Sequence, residues 1–171
     1  MADMKERIRR CTEADLDTLF EIINDAAEAY RGIIPADRWH DPYMGMAELR
    51  AEMADGVEFW GLEIDARLAG VMGIQDRGAV TLIRHAYVRT AMRNRGIGTR
   101  LLRHLEPMTS KPVLMGTWAA ASWAVAFYEK NGYRRVSTQE KDRLLRTYWS
   151  IPERQVETSV VLSDRRWKEG S

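Results

Sequence analysis

The hydrophobic positions change period several times along the chain, and each change predicts an element. Residues 7–10 read as an opening strand. Thr12 followed by Asp15 is a variant of the capping box that starts a helix. Leu16, Leu19, Phe20 and Ile23 then recur at helical spacing, so a first helix runs to about Tyr30. Gly32, Pro35 and the stretch 39–43, Trp-His-Asp-Pro-Tyr, break that period and read as a loop. Residues 47–53 predict a short second helix. Residues 57–64 are rich in strand formers, Asp65-Ala66-Arg67 turns the chain, and 68–75 returns as the next strand. After a turn at Asp76-Arg77-Gly78, residues 79–88 make a third extended run.

Past Gly96-Ile97-Gly98 the period becomes helical again. Ile97, Leu101, Leu102 and Leu105 share a face, and Pro107 ends it. Residues 113–118 are apolar enough for a buried strand. Ser122 is placed to cap a helix carrying Ala124, Phe127 and Tyr128, which Asn131-Gly132 stops. Residues 133–137 and 155–162 read as the last strands, with a helix at about 142–148 between them. Strands and helices intermingle in this order as they do in a mixed α/β arrangement.

The 171 residues are 45% hydrophobic and 30% charged, which fits one domain with its own core and excludes intrinsic disorder. No apolar run approaches the ~20 residues of a transmembrane helix, so no membrane association is expected. Residues 1–10 are basic without an apolar stretch, which is not the pattern of a secretory signal. The single cysteine, Cys11, has no partner for an intrachain disulfide, which sets the expectation of a reducing, cytoplasmic location. No cluster of His, Cys, Asp and Glu has metal-ligand spacing, and no metal is expected.

Basic residues exceed acidic ones by one, 26 against 25, which speaks against a dedicated nucleic-acid binder. The local distribution is uneven. Between Arg77 and Leu105 there is no Asp or Glu, while Arg77, Arg84, Arg89, Arg93, Arg95, Arg100 and Arg103 fall there. The acids gather earlier, with Glu48, Glu52, Asp55, Glu58 and Glu63 among them. An arginine run is most often a solvated face. Around a glycine turn it also suits a polyanion, because no neighbouring carboxylate repels phosphate.

That turn is the strongest local signal. Val88 to Thr99 reads Val-Arg-Thr-Ala-Met-Arg-Asn-Arg-Gly-Ile-Gly-Thr, a strand entering a basic turn that opens a helix. The first turn of a helix has unpaired N–H groups and the positive dipole end, and glycines let a pyrophosphate close on the backbone. A dinucleotide fingerprint would place a third glycine where Leu101 stands, and a Walker loop needs Gly-Lys-Ser/Thr, so neither applies. Arg93-x-x-Gly96-x-Gly98 resembles the Arg/Gln-x-x-Gly-x-Gly/Ala loop of the GNAT superfamily of N-acetyltransferases. Ala124-Val125-Ala126-Phe127-Tyr128-Glu129-Lys130-Asn131-Gly132-Tyr133 resembles that family's Ala-x-x-Phe-Tyr-x-Lys-x-Gly-Phe segment, with Tyr133 for the usual Phe. The order of elements agrees as well, over about 7–162.

The resemblance implies a single acetyltransferase domain over 1–171, with its core at about 7–162 and a short flexible tail at 163–171. The implied fold is α/β (α+β): a mixed, mostly antiparallel sheet of about six to seven strands flanked by about four helices. The implied co-substrate is acetyl-CoA, its pyrophosphate lying on the backbone N–H groups of Arg93, Asn94, Arg95, Gly96, Ile97, Gly98 and Thr99. Its pantetheine arm would pair with the strand end at Ala86, Tyr87 and Val88, and Ala121, Ser122 and Ala124 would flank the arm's other side. Tyr128 matches the position where the family often places a phenol near the departing sulfur. A phenol with pKa near 10 can donate to a developing thiolate, while Phe127 beside it is expected to turn to the core. The implied reaction is acetylation of a primary amine, on a small molecule or a peptide, by direct attack through a tetrahedral intermediate.

Two departures from the family pattern matter. Many members have Asn seven residues before that Tyr, where this chain has Ala121, and several have Glu six residues before the Val closing the strand, where it has Leu82. A base is still required, since only a free amine attacks a thioester. His85 is the nearest candidate, because an ordinary imidazole titrates near 6.5; the same side chain could instead face solvent or donate to backbone. Glu63 and Glu13, acting through water, remain alternatives, and His40 and His104 are read as bystanders. Direct attack by the amine needs no protein nucleophile, so Cys11 reads as a buried thiol. The acceptor is expected to enter over 39–43 and 143–151, and a late strand at about 156–162 offers an edge for a homodimer. Two rival readings stand: a non-catalytic acyl-CoA-binding module, for which the missing Glu speaks, and a nucleic-acid binder whose affinity would fall steeply with salt.

Overall fold

The computed structural model describes residues 4–170. In chain order its elements are β1 (Glu6–Arg10), α1 (Leu16–Ala27), α2 (Met46–Ala54), β2 (Glu58–Ile64), β3 (Arg67–Asp76), β4 (Thr81–Val88), α3 (Ile97–Leu105), β5 (Val113–Trp118), α4 (Ser122–Lys130), β6 (Arg134–Arg135), α5 (Thr138–Tyr148), α6 (Glu153–Glu157) and β7 (Ser159–Ser163). The strand order is β1-β2-β3-β4-β5-β7-β6. Two compact units make up the chain: 4–29, 40–76 and 83–109 form the first, and 30–39, 77–82 and 110–170 the second.

In the first unit β1, β2 and β3 form an antiparallel meander, with Ile8 opposite Leu62 and Trp60 opposite Met72. Strand side chains alternate between faces, and β3 uses both. Val71 joins the core that α1 and α2 close, where Leu19, Ile22, Ile23 and Leu49 are fully buried. On the other face a Cβ at Gly70 would stand 2.8 Å from Ile97 Cγ2, which places α3 there. The chain enters α1 through the predicted capping box: Ala14 N–H donates to Thr12 Oγ1, and Thr12 N–H to the Asp15 carboxylate at 2.7 Å. Asp15 also takes two bonds from Arg9, at 2.7 and 2.9 Å, and Arg9 Nε donates to Glu63 at 2.5 Å. The start of α1 is thereby tied to β1 and β2.

In the second unit β5 runs parallel to the start of β4, Thr81 opposite Val113 and Leu82 opposite Leu114. It runs antiparallel to β7, with Trp118 opposite Ser159, and β6 pairs with the other edge of β7. Leu82, Leu114, Leu144, Leu145, Val156 and Val161 form the core. Lys141 of α5 is buried because its ammonium has partners: Nζ donates to Val156 O at 2.8 Å and pairs with Asp142 at 2.7 Å.

The mixed sheet has the expected strands, but among the described residues six α-helices stand where about four were expected. Ser137 accepts from Glu140 N–H and caps α5 at Thr138, which ends β6 after two residues. α6 takes the residues expected to begin the last strand, so β7 starts only at Ser159. β7 lies between β5 and β6, so it is not the outer strand a homodimer would use. Nor does the expected tail trail away: Ser163 closes β7 and Trp167 is only 6% exposed, packed in the second core. No helix among the described residues is long and apolar enough to cross a membrane.

The Arg9 guanidinium, foremost, holds the Asp15 carboxyl down at about 2. A carboxyl with a folded pKa below its unfolded one stabilises the fold above about pH 4 and loses that contribution as pH falls towards 2. Asp15→Asn should therefore cost ~1–2 kcal/mol at neutral pH. It should also flatten the drop in Tm between pH 4 and pH 2, followed by circular dichroism. An unchanged slope in that window would assign the acid sensitivity to other carboxyls.

Candidate active site

β4 does not stay extended. His85 has φ +54°, in the left-handed region, and such a residue within a strand breaks the regular alternation of the side chains around it, a kink we call the β4 bulge. A regular strand would send Arg84 and His85 to opposite faces. Here both reach one carboxylate, Glu52 of α2. Arg84 Nη1 donates to Glu52 Oε2 at 2.8 Å and Nη2 to Oε1 at 3.2 Å. His85 Nε2 stands 3.6 Å from Glu52 Oε1. Arg84 also donates to Gln75 Oε1 at 3.2 Å, and Gln75 Nε2 donates to Asp55 O at 2.9 Å. β3 passes close to the bulge: a Cβ on Gly73 would lie 2.9 Å from Arg84 O and 2.8 Å from Val57 Cγ1, so the position requires glycine.

Beyond the bulge, Ala86, Tyr87 and Val88 are half-buried, and the ladder between β4 and β5 has already ended at Leu82. In the first unit this segment is therefore an outer strand, with β3 on one side. The chain then takes a 3₁₀ turn at Thr90–Met92, and Asn94 (φ +63°) and Gly96 (φ +74°) bend it into α3. No side chain caps α3. Arg100 N–H bonds to Gly96 O, but the N–H groups of Ile97, Gly98 and Thr99 have no protein acceptor among the described residues. These three donors coincide with the positive end of the helix dipole.

The arginines of the acid-free stretch divide by use. Arg84 holds Glu52, Arg89 holds Glu21 and the Leu68 carbonyl, Arg100 holds Glu6, Arg103 holds Glu106, and Arg77 holds the Tyr148 carbonyl. Arg93 reaches only the Ala26 carbonyl, at 3.4 Å, and the Arg95 side chain has no partner among the described residues. Both are exposed. The run is therefore not a uniform basic face of the kind a duplex needs; its uncommitted cations are the two in the glycine turn.

In the second unit α4 begins at Ser122 with Ala121 in the cap position and no side-chain cap, so Ser122 does not take its expected capping role. Ala121 is fully buried, Ala124 half-buried and Ser122 exposed. Tyr128 is 7% exposed and packs edge-on against Phe127, with ring centres 5.0 Å apart, and against Tyr133 at 6.0 Å. Phe127 was expected to be the core member of the pair, but Tyr128 is the more buried. Tyr133 N–H donates to Tyr128 O at 3.0 Å, and the returning chain covers the ring. Burial first, and then the Tyr30 phenol, push the Tyr128 hydroxyl pKa up. The hydroxyl makes no hydrogen bond among the described residues, so it is a protonated donor without a partner.

The other sequence candidates fall away for physical reasons. Glu63 is held by Arg7 and Arg9, Arg7 foremost, which keeps its carboxyl below the usual range and unsuited as a base. Glu13 is exposed on the turn before α1, His40 is exposed, and His104 lies on Trp60 at 5.2 Å. Burial pushes the Cys11 thiol up to about 12, where it has no nucleophilic thiolate at neutral pH. No group of three His, Cys, Asp or Glu among the described residues could hold a metal ion. The residue missed is Glu52, counted only as one of a run of acids. The available sign was a carboxylate three positions after Leu49, on the face of α2 that Leu49 buries.

Residues 21–147 match the acetyltransferase (GNAT) domain. The fold is similar to that of the PaiA N-acetyltransferase from Thermoplasma acidophilum in complex with coenzyme A, with a TM-score of 0.70 and 19% identity over 94% of this chain and 99% of that one. A GNAT-family acetyltransferase from Staphylococcus aureus Mu50 superposes with a TM-score of 0.69 at 17% identity, over 94% and 98% of the two chains. The ribosomal-protein-S18-alanine N-acetyltransferase of Escherichia coli gives 0.65 at 14% identity, over 98% and 97%. With the domain match spanning most of its length, this chain belongs to the GNAT family of acetyltransferases.

Proposed function

We propose that this chain transfers the acetyl group of acetyl-CoA directly to a primary amine of a small molecule or peptide. The observation that carries the proposal is the start of α3: three unbonded N–H groups beside two uncommitted arginines, Arg93 and Arg95, on the residues that match the family loop. Such a turn suits a pyrophosphate, and the T. acidophilum neighbour holds coenzyme A. When bound, acetyl-CoA supplies an activated acetyl thioester. The outer edge of Ala86, Tyr87 and Val88 offers backbone groups to an extended amide-bearing arm, and the family resemblance assigns Ala121, Ser122 and Ala124 at the start of α4 to the binding of that same arm. His85 accepts the proton that an ammonium must lose before it can attack. Tyr128, kept protonated by burial, gives its proton to the departing sulfur. Nothing in this scheme requires the acetyl group to rest on the protein.

Acetyl-CoA with a panel of primary amines should yield free thiol; saturable binding without thiol release from any amine would make the chain an acyl-CoA-binding module. Cys11→Ala should keep the full rate. An acetyl group trapped on Cys11 in single-turnover mass spectrometry would replace direct transfer by two steps.

Acetyl-CoA should raise Tm, and Gly98→Trp should abolish that rise while the unliganded variant still melts cooperatively. A rise that survives would place the nucleotide end elsewhere. Tyr128→Phe should lower kcat and kcat/KM together by about 10², the lower end for general-acid help, since a thiolate leaves tolerably well alone. Its thermal response to acetyl-CoA should stay as in the parent. Loss of that response would make the phenol a binding group instead.

A further inference from the structure

The bulge in β4 leaves a histidine in an unusual state. His85 Nε2 is fully enclosed and makes no hydrogen bond, yet it is aimed at Glu52 Oε1, 3.6 Å away. Nδ1 likewise has no hydrogen-bond partner among the described residues. The ring rests on Phe59, with centres 5.9 Å apart. A strained backbone angle, an enclosed nitrogen facing a carboxylate and a second nitrogen left over make a poor structural contact. They are the parts of an oriented base.

We propose that Glu52 is the positioning residue for His85, fixing the imidazole as the Nε2–H tautomer so that Nδ1 carries the lone pair that takes the substrate proton. The inference rests on the reading of His85 as the base. In the step, one N–H bond of the substrate ammonium breaks and an Nδ1–H bond forms, so the positive charge moves to the imidazolium. Glu52 keeps its charge and faces the Nε2–H of that cation. The proton afterwards leaves Nδ1 for solvent. The 3.6 Å separation is long for a hydrogen bond, and catalytic hydrogen bonds commonly tighten only when substrate binds.

The carboxylate is itself fixed in place. Arg84 grips both its oxygens, and Gln75 ties Arg84 to the end of α2 at Asp55. The charged group paired with the imidazole is Glu52 from α2, itself held by Arg84 of β4, while β2 presents the uncharged Phe59 ring. Arg84 and Glu52 offset each other at rest, and the imidazolium is the charge that appears during the reaction.

The test compares Glu52→Gln, nearly isosteric and still able to accept from Arg84, with His85→Gln. His85→Gln should lower kcat by about 10²–10⁴, the usual weight of a general base. Glu52→Gln should cost a smaller factor, on the order of tenfold, and move the acidic limb of the kcat/KM profile to lower pH. Its KM for acetyl-CoA should be unchanged. In the free parent protein, imidazole ¹⁵N shifts should report His85 protonated on Nε2, a readout independent of turnover. An Nδ1–H tautomer overturns the proposal, as does a Glu52→Gln profile superimposable on the parent while His85→Gln is impaired; in both cases His85 remains the base. If His85→Gln keeps the parental rate, the reading of His85 fails and the proposal falls with it.

Discussion

A left-handed residue in the middle of a strand costs roughly 1–3 kcal/mol, and at His85 the surrounding structure holds it in place from three directions. Arg84, immediately before the bulge, is gripped by the Glu52 carboxylate. The Phe59 ring lies against the imidazole. Gly73 on β3 has no Cβ to collide with the Arg84 carbonyl. The charge pair is half-buried, and its geometry has two hydrogen bonds, so it is of the kind that contributes more than an exposed pair. Were β4 regular, Arg84 and His85 would part to opposite faces and Glu52 would keep one partner rather than two. The bulge thus sets which side chains meet α2, and the strand resumes beyond it with Ala86, Tyr87 and Val88 presented at an outer edge.

Charge in the first unit follows from the same packing. The chain segregates acids and arginines in sequence, yet the fold brings them together: Glu52 with Arg84, Glu63 with Arg7 and Arg9, Glu21 with Arg89, Glu6 with Arg100. Segregation along the chain becomes complementarity in space. Within the acid-free stretch, Arg93 and Arg95 are left without a carboxylate, and they stand in the turn whose helix carries unbonded N–H groups. A local positive field of this size suits a diphosphate, whereas a nucleic-acid strand draws on many phosphate contacts spread along a surface.

How much of this was legible in the sequence depended on how local each cause was. The capping box at Thr12 and Asp15, the face shared by Ile97, Leu101, Leu102 and Leu105, and the turn at Asn131-Gly132 each rest on neighbours in the chain, and each is present. The glycine turn was legible for the same reason. β6 was overestimated because the Ser137 cap competes with strand extension, and α6 was missed because five residues give periodicity too little length. Trp167 lies outside any repeating pattern, so only the assembled core of the second unit shows where it belongs. The bulge and its Glu52 partner were out of reach for a deeper reason. A left-handed histidine leaves no periodic signature, and the carboxylate it faces is 33 positions away in the chain (85 − 52).

The family pattern that the sequence resembles has, in several members, a glutamate where this chain has Leu82, and burial makes the leucine intelligible. Leu82 is fully buried, opposite Leu114 and in one cluster with Leu144, Leu145 and Val161. A carboxylate there would be charged in its basic form, and taking an unpaired charge into such surroundings is costly. An imidazole escapes that penalty because its basic form is neutral. In the proposed reaction His85 gains charge only on accepting a proton, beside a carboxylate already offset by Arg84. Tyr128 meets the same constraint from the other side, as a neutral donor that burial keeps protonated. With the proposed base and acid both uncharged in their working forms, the chemistry can be enclosed without an unpaired charge at rest. The energetic demand then falls on the moment of transfer, when Glu52 faces the new imidazolium. In the proposed reaction the choice of base therefore follows from what β4 can bury and from where its bulge aims a side chain.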